Sequence, residues 1–476
     1  MPWPRVARAT TVQTGPLLLA WAAIAVGIAR KYGDYSVFSI AMVLAGTALL
    51  AAACLVRIPI PAPIGAAGAA AALVVGIVWP GPLNHAGGAW YVVSRVTCGA
   101  AALLAIGTAR WRRLLVPALA AVAVCGAARI IAAPAPAIDV HVLLQQSAHH
   151  LFTADMYRAT WHGSPAGQLQ DVYPYLPWTS VLLWPFRLVA GDVRAGLLVA
   201  DLAAAGLVAR LGRPAYGLLL VTYPLFAFGL EQSWTEPLLI ALFAGMVLAA
   251  HRGRPGAAVV LFALALATKQ HAALLVPLAV VWPAFGWRRT LRAVVLGVVL
   301  VLPWFVAGPG HLWHDAVAYQ LHYPVLGTEL GIPALLLHHG QRVGFWLAAA
   351  AVLGAYVLAL TRLPRTAAGF AVGGALVELA VDVTNKQSFF NHYTLPMALV
   401  VIGLAAQSAA SRPAPGGRMP DHGRSDDAPA SGWNRHPRDD QAGRAPAAVQ
   451  RRVRVGRRHD PRLADRRPGQ DPQHAP

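Results

Sequence analysis

Apolar runs follow one another along this chain, parted only by short turns, and that pattern constrains the fold more than anything else. The runs lie at 15–29, 36–56, 62–79, 89–109 and 114–133, and then at 193–209, 214–229, 236–250, 256–267, 272–285, 291–307, 344–360, 367–381 and 392–406. A bilayer core about 30 Å thick is crossed by roughly 20 helical residues. Within it every backbone N–H and C=O must find its partner inside the segment. Runs of this length without strict alternation read as helices. Composition agrees, since 57% of the 476 residues are hydrophobic and 12% are charged. The expected fold is all-α, a polytopic membrane protein with about fourteen transmembrane helices.

The formal net charge of +19 does not point to nucleic acid. Arginines gather in short turns and in the C-terminal stretch, with no basic patch carrying interleaved aromatics. As topology signals, the Arg110–Arg113, Arg210–Arg213, His251–Pro255, Trp287–Arg289 and Arg362–Arg365 turns are expected inside. The stretch 80–88 has no Lys or Arg and is expected outside, while Arg30 and Lys31 fall on the less favourable side. This puts both termini in the cytoplasm and Asp139 outside. Arg5 and Arg8 before the first run read as a signal anchor. Cys54, Cys98 and Cys125 lie in apolar runs without metal-ligand spacing, so neither a disulfide framework nor a metal site is expected.

Four regions follow. Residues 1–133 are N-terminal spans, 134–192 an external loop, 193–406 a C-terminal bundle, and 407–476 a basic, Pro-rich tail too poor in apolar residues to bury a core. The loop breaks the apolar pattern. After Pro134 and Pro136, Val140, Leu143, Leu144, Ser147 and Leu151 share one helical face and His141, Gln145 and His149 another. That predicts a helix along the membrane surface. Residues 163–177 read as a loop, and 176–190, interrupted by Pro185 and Arg187, as a half-inserted helix.

Polar groups collect on the side expected to be external. Asp139 has two readings, a helix cap contributing about 1 kcal/mol or a general base contributing about 10²–10⁴-fold. Lys269, between two apolar runs, is either a boundary lysine reaching headgroups or a cation for a phosphate, with His271 beside it. Glu231 and Glu236 flank Trp234, where they form a solvated turn or bind acceptor hydroxyls. Trp161, Tyr173, Tyr175, Trp178 and Trp184 read as an interfacial belt, some of which could face a sugar ring. His141, His149, His150 and His162 read as solvated. Asp201 and Arg129 stand out as the obvious charges within apolar runs.

The order of these motifs resembles multi-pass glycosyltransferases of the C superfamily. Asp139-Val-His-Val with Ala148, Leu151, Asp155 and Tyr157 resembles their first external loop. Tyr173-Pro-Tyr-Leu-Pro followed by Leu182, Leu183 and Pro185 resembles their juxtamembrane helix, and Gly253-Arg-Pro-Gly with Ala267-Thr-Lys-Gln-His a later pair. Asn385-Lys-Gln-Ser-Phe-Phe-Asn-His-Tyr resembles the late external turn of the actinobacterial branch. The nearest likeness is to glycosyltransferase family 87, the polyprenyl-phosphomannose-dependent mannosyltransferases, over about residues 130–406. It implies an inverting transferase in the cell membrane, with no cofactor or metal. Its donor is a polyprenyl-phosphate sugar and its acceptor a glycolipid or cell-envelope glycan. Asp139 takes the place of the base. Lys269, His271 and His392 face the donor phosphate, and Asp155, Tyr157, Tyr173, Tyr175, Glu231 and Glu236 the substrates. Two departures stand out: four additional spans precede the loop, and Ala154 stands where glycine is common. A transporter or flippase without chemistry is the rival expectation, and it calls for broken helices and an inverted repeat. A non-catalytic scaffold leaves the external polar cluster unexplained.

Overall fold

The computed structural model describes residues 11–30, 35–78, 86–153, 156–165, 168–223 and 225–411. Among them every regular element is a helix. The first five are α1 (Thr14–Ala29), α2 (Val37–Leu55), α3 (Ala62–Val78), α4 (Gly88–Gly107) and α5 (Leu115–Ala132). The loop carries α6 (Asp139–His150) and α7 (Trp178–Ala190). Then come α8 (Arg194–Leu211), α9 (Pro214–Val221), α10 (Leu225–Glu231), α11 (Glu236–His251), α12 (Pro255–Thr268), α13 (Val276–Val281) and α14 (Gly286–Ala307). Three short helices, α15 (Pro309–Trp313), α16 (Tyr319–His322) and α17 (Ile332–His338), precede α18 (Phe345–Arg362), α19 (Ala367–Thr384) and α20 (Thr394–Ala410).

Each of the fourteen apolar runs overlaps a helix. Among the described residues, six helical segments are long and apolar enough to cross a membrane: α2, α4, Arg112–Ala132, α14, α18 and α19. Taken as one span bent by 47°, α9 and α10 make a seventh. The others fall short on length or charge. α1 has 16 residues and α12 has 14, against roughly 20 for a perpendicular crossing. α8 carries Arg194, Asp201 and Arg210. The coarse reading, a helical membrane protein, therefore rests on helix length and composition.

The exposed faces agree with it. On α14, Val295, Val298, Val299, Leu302 and Val306 are uncovered at helical spacing. Only 11% of the apolar window of α18 is buried, against 89% for α19. α19 lies inside the bundle, where side chains with chemistry can meet.

The N-terminal helices are not an appendage. Leu17, Trp21, Ile24 and Ile28 of α1 share one core with residues of α11, α19 and α20. Pro residues open α9, α12 and α17, where the missing N–H costs no intrahelical bond. α7 ends on Gly191 at φ +73°, a left-handed cap that glycine adopts without strain. Beyond Pro185, Leu188 and Val189 of α7 stay uncovered, as a helix dipping into lipid needs. The expected tail lies outside the described residues after Ser411, while 407–410 belong to α20.

Candidate functional site

The loop is pinned to the start of α6. Asp139 is its first residue, and Oδ1 accepts the Val140 N–H at 2.6 Å. Oδ2 accepts the Leu169 N–H at 3.1 Å, and the Asp139 N–H is donated to Gln168 Oε1 at 2.8 Å. Asp139 thus satisfies backbone donors as a cap would, and the residue is half-buried. Burial raises its pKa, and the Leu169 and Val140 N–H groups partly oppose the rise. Tyr319 and Tyr323, from the stretch after α14, both feel its charge, and burial pushes the Tyr323 phenol to about 12.

Below Asp139 lies a packed aromatic wall. Tyr157 and Tyr173 meet edge to face at 5.6 Å, and Tyr173 and Tyr175 at 5.7 Å. The Tyr157 hydroxyl donates to the Tyr175 carbonyl at 2.9 Å. The Tyr173 N–H donates to Asp315 Oδ2 at 2.9 Å, and its hydroxyl bonds Ser180 Oγ at 2.5 Å. Tyr157, Tyr173 and Trp161 are buried. Expected to bind substrate or line the membrane belt, they pack within the loop, and of the three tyrosines Tyr175 is half-buried. His141 is also buried, against Ser233 Oγ at 2.9 Å, rather than solvated. Burial, together with the Arg194 charge, pushes it down to about 4.

The second half forms at a helix break. α12 stops at Thr268, Lys269 is extended (φ −150°, ψ 140°), and a 3₁₀ turn runs over Gln270–Leu275. Neighbours hold the break open. Thr179 Oγ1 donates to the Thr268 carbonyl at 2.7 Å, and Gln270 Nε2 donates to the Pro174 and Ala316 carbonyls at 2.9 and 2.6 Å. Lys269 Nζ is thereby brought 2.6 Å from Glu236 Oε1 at the start of α11. It also stands 5.6 Å from the Tyr175 ring centre, a cation–π approach. Asn391 Nδ2 donates to the same Glu236 oxygen at 3.2 Å.

Beside this pair, α19 presents Glu378 and Asp382, one turn apart and each 1% exposed. His271 Nδ1 is 3.4 Å from Glu378 Oε2, and His392 Nδ1 is 3.9 Å from Asp382 Oδ1. The two imidazoles meet edge to face at 5.4 Å. Glu236 Oε2, Glu378 Oε1 and both Asp382 oxygens have no hydrogen-bond partner among the described residues.

Tyr175 links the two groups electrostatically, since its phenol feels the charges of both Glu236 and Asp139. The structure therefore groups Lys269, His271, His392, Tyr175 and Glu236, while the hydrogen bonds of Asp139 go to Val140, Gln168 and Leu169. Glu231 goes elsewhere. It is fully buried and paired with Arg129 Nε of α5 at 2.7 Å, so the expected solvated Glu231–Glu236 turn is replaced by two buried ion pairs. Asp155 lies outside the described residues. Glu378 and Asp382 are the residues the sequence reading passed over. Their i, i+4 spacing inside Leu376-Val-Glu-Leu-Ala-Val-Asp puts both carboxyls on one face of an apolar helix, so Asp201 and Arg129 are not alone as charges within the bundle. Among the described residues no three His, Cys, Asp or Glu side chains are arranged to hold a metal ion.

The chain matches no family model, no curated protein and no solved structure.

Proposed function

We propose that this chain is an integral-membrane inverting glycosyltransferase. It moves a sugar, mannose by the family resemblance, from a polyprenyl phosphate to a glycolipid or envelope glycan outside the cell membrane. The observation that carries the reading is Tyr175, whose ring lies 5.6 Å from Lys269 and whose phenol feels both Asp139 and Glu236. A candidate phosphate-binding cation thus stands against an aromatic ring, a surface suited to a sugar, and the phenol of that ring feels the charge of the candidate base.

Asp139 takes the proton of the acceptor hydroxyl as that oxygen attacks the anomeric carbon. The bond from that carbon to the phosphate oxygen breaks, and polyprenyl phosphate leaves from the opposite face. A base with a raised pKa accepts that proton more readily. Lys269, with His271 and His392, faces the phosphate as negative charge grows on it. Glu236 already holds one of the three ammonium protons, so the phosphate shares Lys269 rather than claiming it. The lipid tail lies along the uncovered end of α7. In this reading about fourteen segments cross the membrane, both termini are cytoplasmic, and the protein's own cations and N–H donors suffice without a metal or cofactor.

The test is transfer of radiolabelled sugar from polyprenyl-phosphomannose into membrane lipid extract by the wild type and Asp139→Asn. Transfer by the folded wild type alone supports both class and base. Equal transfer by both keeps the class and returns Asp139 to a cap. Absence of transfer from this and other polyprenyl-phosphate sugars sinks the enzyme reading.

A second reading, transport without chemistry, draws on the bend between α9 and α10 and the break at Lys269 beside buried carboxylates. Carriers build midplane sites from such discontinuous helices. Solute movement across sealed vesicles that Asp139→Asn leaves intact would favour it.

A further inference from the structure

We infer that the Lys269 site takes up a proton together with its anion, the proton settling on one of the carboxyls of Glu236, Glu378 or Asp382. This rests on the reading of Lys269 as a phosphate site and adds how that site tolerates a second negative charge.

One carboxyl pairs with the ammonium, and two more stand at the histidines of the same cluster. Glu236 reaches Lys269 from α11, and Glu378 and Asp382 come from α19. All three are 2% exposed or less. Lys269 itself sits in the break after α12, and His271 follows it in the 3₁₀ turn. From the turn before α20, Asn391 and His392 face the same carboxylates. Three phenols also feel these carboxyls. Tyr175 feels Glu236, Tyr356 of α18 feels Glu378, and Tyr393 feels Asp382. No second lysine or arginine appears among these partners.

An anion arriving at Lys269 therefore meets Glu236 on the same nitrogen and two further carboxylates behind it. Like charges in a low-dielectric site disfavour one another strongly, and protonation of one relieves them. The acceptors are ready. Glu236 Oε2, Glu378 Oε1 and both Asp382 oxygens are buried without a hydrogen bond among the described residues. A proton on one of them turns a repelling oxygen into a donor, toward a neighbouring carboxylate or toward the phosphate.

Calorimetric titration of the full chain in detergent micelles tests this, with geranyl methyl phosphodiester as the probe. A phosphodiester keeps a single charge near neutral pH, so any proton taken up belongs to the protein. Titrations at one pH in buffers of different ionisation enthalpy count the protons. The expected result is about one proton per bound anion and affinity rising roughly tenfold per unit fall in pH above neutrality. Uptake should vanish in one of Glu236→Gln, Glu378→Gln and Asp382→Asn, the variants that stay folded and bind. Binding without proton uptake overturns the inference while leaving the phosphate site standing, as does uptake undiminished in all three variants. No binding from pH 5 to pH 8 overturns both.

Discussion

Lys269 Nζ stands 2.6 Å from Glu236 Oε1, with Lys269 in the break after α12 and Glu236 at the head of α11. The pair joins two helices whose apolar faces give little reason to prefer one axial register over another. Removing one partner of a buried pair strands the other charge, which typically costs about 3–5 kcal/mol. The two removals are not equivalent here. Lys269→Met leaves three carboxylates without their cation, whereas Glu236→Gln leaves the lysine with Glu378 and Asp382 nearby. Lys269→Met should therefore lower the unfolding midpoint in detergent well below that of Glu236→Gln. The double variant should recover much of the loss. A lysine variant as stable as the glutamine variant would show that the pair is not balanced in this way.

Asp139 sets a direction for pH. Burial raises its pKa, and a base works only when deprotonated. Transfer should therefore rise with pH through a limb lying above the ordinary carboxylate range. Asp139→Asn should cost about 10²–10⁴-fold in rate and remove that limb. Asparagine still offers one side-chain oxygen to the Leu169 or Val140 N–H, so folding should survive. A limb that persists in the variant would assign it to another group.

His141 gives a prediction about stability. Its folded pKa is pushed from 6.5 to about 4 by burial and by Arg194. For a histidine lowered in this way, the unfolded chain binds the proton first as pH falls. Stability is fully present above about 6.5, declines from there through about 4, and is then level. His141→Gln keeps a partner for Ser233 Oγ and should flatten that decline. Unfolding midpoints across pH 4–7 for both proteins are the check; parallel curves would show that another group titrates.

The helices were legible because bilayer physics writes them in long apolar runs. Thr14–Ala29 and Thr394–Ala410 fall where the sequence places runs 15–29 and 392–406. The amphipathic spacing after Pro136 likewise gives α6 as observed. The site was legible only in part. Lys269 and His271 stand out against an apolar background, but nothing local says that Glu231 and Glu236, five residues apart, separate to Arg129 and Lys269. That separation depends on where α5 and α12 pack, which is tertiary information. Tyr157 and Tyr173 pose a related difficulty: an aromatic loop reads alike whether it faces a ligand or packs on itself. Glu378 and Asp382 could have been found, since two carboxylates one turn apart in an apolar helix are costly unless used.

Asp201 of α8 offers the opposite case to Lys269. Its carboxyl lines a cavity of about 60 Å³ shared with Trp21, Tyr223, Trp234 and Thr394, and it is 8% exposed. No cation pairs with it among the described residues. Burying a polar group without a compensating partner costs about 1–3 kcal/mol by mutational measure, and a charge more. Asp201→Asn keeps the shape and removes the ionisable group, so it should stabilise the detergent-solubilised protein by at most about 3 kcal/mol, read as a higher unfolding midpoint. Asp201→Leu should go further if the cavity accepts the added methyl groups, since filling an apolar void recovers lost contacts. Neither change touches Asp139 or Lys269, so sugar transfer should continue at the wild-type rate. A variant that gains stability and loses transfer would instead make Asp201 a working group, retained against its cost.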